Sequence, residues 1–143
     1  MAIFNCNITI QAPVEKVFNY ITNPANRVEW IRRVTNVRNV TGEGKGQKWD
    51  YTYKMPGKII DGTAEVTEYI HNQRYAHNNS RGFARTWTYD FSAEGGITHL
   101  NVSVEMLTFK IPLLGKIIEK QMLRQSRQEA DEAVNNIKKR LEE

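Results

Sequence analysis

The sequence predicts an α+β domain in which a curved antiparallel sheet wraps around a long C-terminal helix, in the order β–α–α–β6–α. Three observations support this. One strand-like alternation opens the chain, and six more follow it, separated by short turns. Two short helical patterns lie after the first strand. One long amphipathic pattern ends the chain. The 143 residues fit a single domain, residues 1–143, with its own hydrophobic core.

The first three elements are a strand and two short helices. Residues 3–10 alternate between apolar and polar side chains, which predicts a half-buried strand. Pro13 suits the first position of the helix that follows. The apolar stripe of that helix has the spacing i, i+3, i+4, i+7 and comprises Val14, Val17, Phe18 and Ile21. Asn23 can cap a second short helix that starts at Pro24 and runs to about Trp30.

Six strands then follow in series, and their short connections predict antiparallel neighbours. A glycine-rich loop, TGEGKG, and the dipeptides Pro56-Gly57 and Gly95-Gly96 are typical turns. The predicted strands are Val34–Val40, Gln47–Met55, Ile59–Tyr69, Gln73–Asn79, Arg85–Ser92 and Ile97–Leu107.

Two of these strands carry large aromatic side chains on one face only. In WDYTYKM and RTWTYDFS, every second residue is bulky, and several of these side chains end in an indole N–H or a phenol hydroxyl. The strand that follows the first of them, Ile59–Tyr69, presents apolar and small residues on its inner face. The inner-face residues of these three strands are Trp49, Tyr51, Tyr53 and Met55; Ile60, Gly62, Ala64 and Val66; and Trp87, Tyr89 and Phe91.

The last predicted element is a helix of about 40 Å over Leu113–Leu141. Its apolar face is bulky at both ends and small in the middle. That face comprises Leu114, Ile118, Met122, Ser126, Ala130, Ala133, Ile137 and Leu141. A curved sheet opposite small helical residues leaves a gap, which either the protein's own rings or a small molecule can fill. We expect a cavity large enough for a guest.

The residues predicted to line this cavity come from the aromatic strand faces, the last strand, the end of the second helix and the middle of the long helix. They are Trp30, Trp49, Tyr51, Tyr53, Ala64, Trp87, Tyr89, Phe91, Val104, Met122, Gln125 and Ser126.

The segment ITIQAPVEKVFNYITNPANRVEW resembles the entry of the START-like helix-grip superfamily (SRPBCC), in its polyketide cyclase/dehydrase branch. The matching residues are Ala12, Pro13, Glu15, Val17, Phe18 and Trp30. The glycine-rich hairpin that ends at Gly46, Trp49 after it and the long final helix also match, so the resemblance covers nearly the whole chain. It implies a helix-grip fold and a hydrophobic ligand. It transfers no catalytic residue, because no catalytic motif of the family is matched.

Three functions therefore remain open. The first is binding of a lipid, isoprenoid or polyketide-like molecule, with the short helices and the glycine-rich hairpin gating entry. The second is a polyketide cyclase or dehydratase, for which Tyr51, Tyr53, Tyr89 or His77 would supply acid–base chemistry, with Glu129 and Gln125 near the helix edge. The third is a regulator that binds another protein through the basic face of the long helix.

Other functions are disfavoured by the residues present. The three histidines lack the spacing of a metal site, although His77 and His99 could approach one another, and no cofactor is predicted. The glycine-rich loop lacks the Gly-Lys-Ser/Thr of a phosphate loop. Cys6, the single cysteine, lies on an apolar strand face and is predicted to be a buried small side chain rather than a nucleophile.

Charge and hydropathy indicate which partners and which cellular location to expect. The net charge of +4 is concentrated in residues 110–127, where five basic side chains accompany one acidic one. This stripe lies opposite the apolar helix face, so nucleic-acid binding is not predicted, and a weak contact with an anionic surface stays open. No apolar run reaches the length of a membrane span. The N-terminal segment is already polar at Asn5, which predicts no secretory signal, and a cytoplasmic location is expected. The oligomeric state is left open.

Overall fold

A computed structural model of the chain describes residues 2–80, 84–106 and 115–143, without the side chains of 2, 115–119 and 122. Seven strands and three α-helices are formed by these residues. In chain order they are β1 (Ala2–Ile10), α1 (Val14–Thr22), α2 (Arg27–Trp30), β2 (Val34–Thr41), β3 (Lys48–Met55), β4 (Lys58–Ile70), β5 (Arg74–Ser80), β6 (Arg85–Glu94), β7 (Ile97–Met106) and α3 (Gly115–Leu141).

The strands form one antiparallel sheet in the order β1-β7-β6-β5-β4-β3-β2. This order follows from hairpin connections along β2 to β7, with β1 returning to pair with β7. The helix α3 packs on the concave face, where the Cys6 thiol donates a hydrogen bond to Asp131 over 3.0 Å. The guanidinium of Arg127 lies 5.3 Å from the centre of the Phe4 ring. The predicted α+β fold, a curved sheet around a long C-terminal helix, is confirmed.

Bulges bend the half of the sheet that faces the middle of α3. The pairing of β2 with β3 shifts register twice, and that of β4 with β5 shifts once between Val66 and Glu68. Asn39, inside one of the β2 irregularities, has a left-handed backbone with φ of 55°, which asparagine tolerates better than most residues. Because each bulge increases local twist, these strands curve around the helix instead of lying flat.

The helix starts differ from the prediction in detail. Pro13 lies outside α1, at its N-cap position, and has an extended backbone. The predicted second helix is divided into a 3-10 turn, Pro24–Asn26, and the single turn of α2. The side chain of Asn23 accepts a hydrogen bond from the backbone N–H of Ala25, as its capping role predicts. The predicted ends at Leu107 and at Leu113–Leu114 lie outside the described residues.

The short helices close one end of the concave face. Phe18 of α1 is fully buried and packs edge-on against the ring of Phe91, with 5.1 Å between centroids. At the other helix, Trp30 is 1% exposed. Along α3 the predicted small and apolar positions Ser126, Ala130, Ala133, Ile137 and Leu141 are all buried, which confirms the face chosen from the sequence.

Candidate ligand-binding site

The middle of the concave face pairs large side chains on β3 with small ones on β4. Trp49 is opposite Ala64, and Tyr51 is opposite Gly62. A Cβ atom on Gly62 would lie 2.5 Å from the Tyr51 hydroxyl oxygen. Glycine is therefore required for the tip of the Tyr51 ring to lie against β4.

A small inner cavity of about 20 Å³ lies between these rings and α3. Four predicted residues line it: Trp49, Tyr51, Tyr53 and Trp87. The other lining residues are Arg27, Ile31, Val34, His77, Asn79, Arg85 and Glu129. This volume holds about one water molecule. The expected guest-sized cavity is therefore not formed by the described residues, because two arginine side chains occupy the space that the sequence pattern assigned to a ligand.

Six of the remaining predicted residues are buried near the inner cavity without lining it. Ala64, Tyr89, Phe91 and Val104 belong to the surrounding core. Ser126 accepts a hydrogen bond from Arg85 over 3.3 Å. Trp30 and Gln125 line a neighbouring cleft, described below. The side chain of Met122 lies outside the part of the chain that the structure describes.

One side of the inner cavity is a buried ion pair. The Arg85 guanidinium lies 2.9 Å from a carboxylate oxygen of Glu129, and both side chains are less than a tenth exposed. The Tyr53 hydroxyl donates to the same oxygen over 2.7 Å. Burial lowers the pKa of Arg85, but the Glu129 carboxylate more than compensates, so the pKa lies above its ordinary value. Burial and the charge of Glu129 both raise the pKa of Tyr53, which therefore remains a hydrogen-bond donor.

The other side of the inner cavity is a cation among aromatic rings. The Arg27 guanidinium lies 4.7 Å from the centre of the Trp49 ring and 5.3 Å from that of Trp30. Its Nη2 donates to the Tyr75 hydroxyl over 3.2 Å. Burial lowers the pKa of Arg27, but Tyr75 and Tyr89 outweigh this effect, and the group stays charged. Attraction between the cation and the ring faces contributes to holding it there.

His77, which is on β5, lines the inner cavity together with the two arginines. Its Nδ1 is 2.7 Å from the amide oxygen of Asn79, and its Nε2 is 3.1 Å from the Tyr89 hydroxyl. Since an amide oxygen only accepts, Nδ1 carries the proton and Nε2 accepts from Tyr89. Burial, and next the charge of Arg27, hold the pKa of His77 well below its usual range. The ring is therefore neutral at physiological pH.

Arg27 and Arg85 were not among the predicted site residues, although the sequence contains a signal for each. Arg85 is two residues before Trp87 and therefore shares its strand face. Arg27 is three residues before Trp30 and shares its helix face. Apolar periodicity does not single out either position, because charged side chains are seldom fully buried.

A second cleft, of about 70 Å³, adjoins the inner cavity on the side of α2. It is lined by the segment that follows α2 and by the middle of α3, including Trp30, Arg32, Gln125 and Ala133. Glu129 lines both the cleft and the inner cavity. Its side chain is thus shared by the walls of the two spaces.

Among the described residues, the histidines form no metal-binding group, and Cys6 is not a reactive thiol. His77 and His99 do not meet: His77 is buried on β5, whereas His99 on β7 is half exposed and lies next to Thr9 and Glu94. Burial, then the neighbouring Asp131, raise the pKa of Cys6 to about 12, which suits an unreactive thiol.

Within the basic stripe, Lys120, Arg124 and Arg127 are exposed, whereas Lys110 and the side chain of Lys116 lie outside the described residues. In the described ranges, no helix is long and apolar enough to cross a membrane.

The strand order, the long helix on the concave face and the site between them define a helix-grip domain. A family model described as polyketide cyclase/dehydrase and lipid transport matches residues 1–142, and the chain belongs to this family. The predicted resemblance is confirmed. No curated protein matches the chain significantly.

Solved structures support the same fold. The chain is similar to TTHA0849 from Thermus thermophilus, with a TM-score of 0.82 and 18% identity over 98% of this chain and 97% of that one. It is similar to the Zhui aromatase/cyclase from Streptomyces sp. R1128, with a TM-score of 0.79, 12% identity and coverage of 99% and 93%. It is also similar to a START superfamily protein from Mycobacterium smegmatis, with a TM-score of 0.78 and 13% identity over 98% of this chain and 97% of that one. At these identities the likeness establishes the fold.

Proposed function

We propose that this protein binds a hydrophobic small molecule, of lipid, isoprenoid or polyketide-like type, between the concave sheet face and α3. One observation carries the proposal. Two arginines, a histidine and a glutamate converge, all buried, inside a shell of aromatic rings. A core that serves packing alone rarely encloses such groups, because their desolvation opposes folding. A few convergent polar groups in an apolar surround are typical of small-molecule sites.

Entry of a guest requires side chains to move, because the inner cavity is far smaller than the roughly 300 Å³ of an ordinary ligand pocket. Glu129 is the side chain whose displacement connects the inner cavity with the surface cleft. The enlarged space would contact Trp49 and Trp87 on the sheet and Trp30 beside α2. These are the three tryptophans of the chain, so a guest would change their environment directly.

Binding can be tested by tryptophan fluorescence and by native mass spectrometry with farnesol, oleic acid and a hydroxyanthraquinone as probes. We expect at least one probe to change the emission and to be retained as a stoichiometric complex. The variant Gly62→Ala should weaken binding, since the added methyl group forces the Tyr51 ring towards the inner cavity. Its control is Gly96→Ala, where the new Cβ meets no atom within 4 Å. Absence of binding for all three probes would reject the proposal.

A second candidate is a cyclase or dehydratase acting on a poly-carbonyl compound. The neutral His77 ring, hydrogen-bonded to Tyr89 beside the inner cavity, supports it, because a positioned acid–base group is what such a reaction needs. Turnover of a synthetic polyketone would be followed by chromatography for the protein and for His77→Gln and Tyr51→Phe. Equal product from all three proteins would exclude these side chains from the chemistry.

A further inference from the structure

Arg27 is a buried cation with incomplete pairing. The residue is 3% exposed, and its Nε atom has no hydrogen-bond partner among the described residues. The hydroxyls of Tyr75 and Tyr89, both neutral, are the side-chain groups that accept from it. Among the side chains that the structure describes, it forms no ion pair with a carboxylate. The guanidinium carbon lies 5.3 Å from the centre of the Trp30 ring and 4.7 Å from that of Trp49, and neutral rings supply no counter-ion.

The charges around the inner cavity do not balance. Arg27 and Arg85 each contribute one positive charge, Glu129 contributes one negative charge, and His77 is neutral. The described lining therefore carries a net charge of +1 in a space with room for about one water molecule. Glu129 already accepts from both Arg85 and Tyr53, which leaves Arg27 without a counter-ion among the described side chains. Since burying a charge is costly unless the charge is paired, a negatively charged partner would offset the cost of burying Arg27.

We propose that the guest is an organic acid whose ionised oxygen, of a carboxylate or an enolate, pairs with the edge of Arg27. This rests on the proposed binding function and narrows its ligand class. The apolar body of the acid would lie against Trp49, Tyr51 and Trp87, which line the same cavity. A free inorganic anion would leave the apolar ring surfaces of Trp49, Tyr51 and Trp87 without a partner, whereas an organic acid covers them. The planar guanidinium offers two parallel N–H groups to a carboxylate, which favours a bidentate contact.

Pairs of ligands that have similar shapes but differ in charge test whether a negative charge on the ligand strengthens binding. One pair is 2-naphthoate and the neutral 2-naphthamide. The other is the acidic diketone dimedone and its neutral methyl enol ether. Dissociation constants would be measured at pH 8 by tryptophan fluorescence and by calorimetry. In the unmodified protein we expect the acid of at least one pair to bind about ten- to a hundred-fold more tightly than its neutral partner. The pair that shows the preference distinguishes a carboxylate from an enolate.

Three variants assign the preference to Arg27. In Arg27→Gln the affinity for the acid should fall towards that of its neutral partner, whereas Arg27→Lys should keep part of the preference, because it keeps the charge. Arg124→Gln removes an exposed arginine of α3 and should leave the preference unchanged. Near-ultraviolet circular dichroism would verify that each variant is folded.

The outcomes separate the two proposals. If acid and neutral ligands bind the unmodified protein equally well, the anion proposal is overturned and the binding function stands. If none of the four ligands binds, the anion proposal fails, and the result also counts against the binding function. If the preference persists in Arg27→Gln at its original size, another group recognises the charge and the assignment to Arg27 is wrong.

Discussion

The two buried arginines occupy opposite sides of one cavity, and their surroundings differ. Arg85 has a carboxylate at 2.9 Å and a serine hydroxyl at 3.3 Å. Arg27 has aromatic rings and neutral tyrosine hydroxyls. The first arrangement is self-contained, since each charge has its counter-charge. The second is incomplete without a further partner. The comparison separates a cation that stabilises the fold from one retained at a cost to stability, as binding sites often are.

The largest expected effect comes from removing each arginine in turn. Arg85→Met leaves Glu129 buried without its cation and should lower the free energy of unfolding by about 3–5 kcal/mol. Arg27→Met removes a cation that has no counter-ion, so its cost should be about 1 kcal/mol or less, since lost ring contacts are offset by relief of desolvation. Urea denaturation measures both. Equal losses in the two variants would contradict the distinction between the paired and the unpaired cation.

The hydroxyl of Tyr53 tests the paired side of the inner cavity. Tyr53→Phe removes a 2.7 Å hydrogen bond to buried Glu129 and should cost about 1.5–3 kcal/mol, the range for bonds to charged groups. Tyr20→Phe is the matched control, because Tyr20 donates to Glu29 over 3.0 Å at an exposed position. We expect its cost to stay within about 0.5 kcal/mol. Urea denaturation measures both free energies of unfolding. Equal losses in the two variants would mean that the hydrogen bond from Tyr53 to Glu129 contributes no more than an exposed one.

The approach of Tyr51 to Gly62 tests how tightly the cavity wall is packed. Gly62→Ala places a methyl group 2.5 Å from the Tyr51 hydroxyl oxygen. Such overpacking should lower stability by about 1–3 kcal/mol. Gly96→Ala meets no neighbouring atom and should differ little from the unmodified protein. A thermal melt in which both variants behave alike would mean that Tyr51 can move aside freely.

The pH dependence of stability reports on His77. Its pKa is depressed in the folded state, so the unfolded chain binds more protons below the ordinary histidine value. The contribution of neutral His77 is therefore present above about pH 6.5 and is lost at about 1.4 kcal/mol per pH unit as the pH falls below it. His77→Gln should remove this part of the slope in urea denaturations between about pH 7.5 and 5.

The two arginines also differ in how strongly each lowers the pKa of His77, and this is the smallest effect that we expect. The positive charge of Arg27 contributes more to the depressed pKa of His77 than that of Arg85 does. An NMR titration should therefore show a larger rise of this pKa in Arg27→Met than in Arg85→Met. A larger rise in Arg85→Met would mean that the charge of Arg85, and not that of Arg27, contributes more to the depressed pKa of His77.

Much of the site could be predicted because it follows the periodicity of single elements. Alternation placed Trp49, Tyr51 and Tyr53 on one face, and the structure finds all three on the cavity wall. Helical spacing placed Ser126 inward, and it is buried. By contrast, the prediction that these rings surround a guest-sized space was too simple, since Arg27 and Arg85 enter the same interior from other elements.

The amino-acid pattern alone determined the order of the elements along the chain, the long helix and the inward aromatic faces, because each depends on spacing within one segment or on a short turn between neighbours. The pairing of β1 with β7 closes the sheet over a long stretch of chain and came from the tertiary structure. The tertiary structure alone decided how the two buried cations are paired. Glu129 and Arg85 lie 44 positions apart, and Arg27 and Tyr75 lie 48 apart. Whether a charge brought into the interior finds an opposite charge depends on the angles at which separate elements pack, and no local pattern encodes those angles.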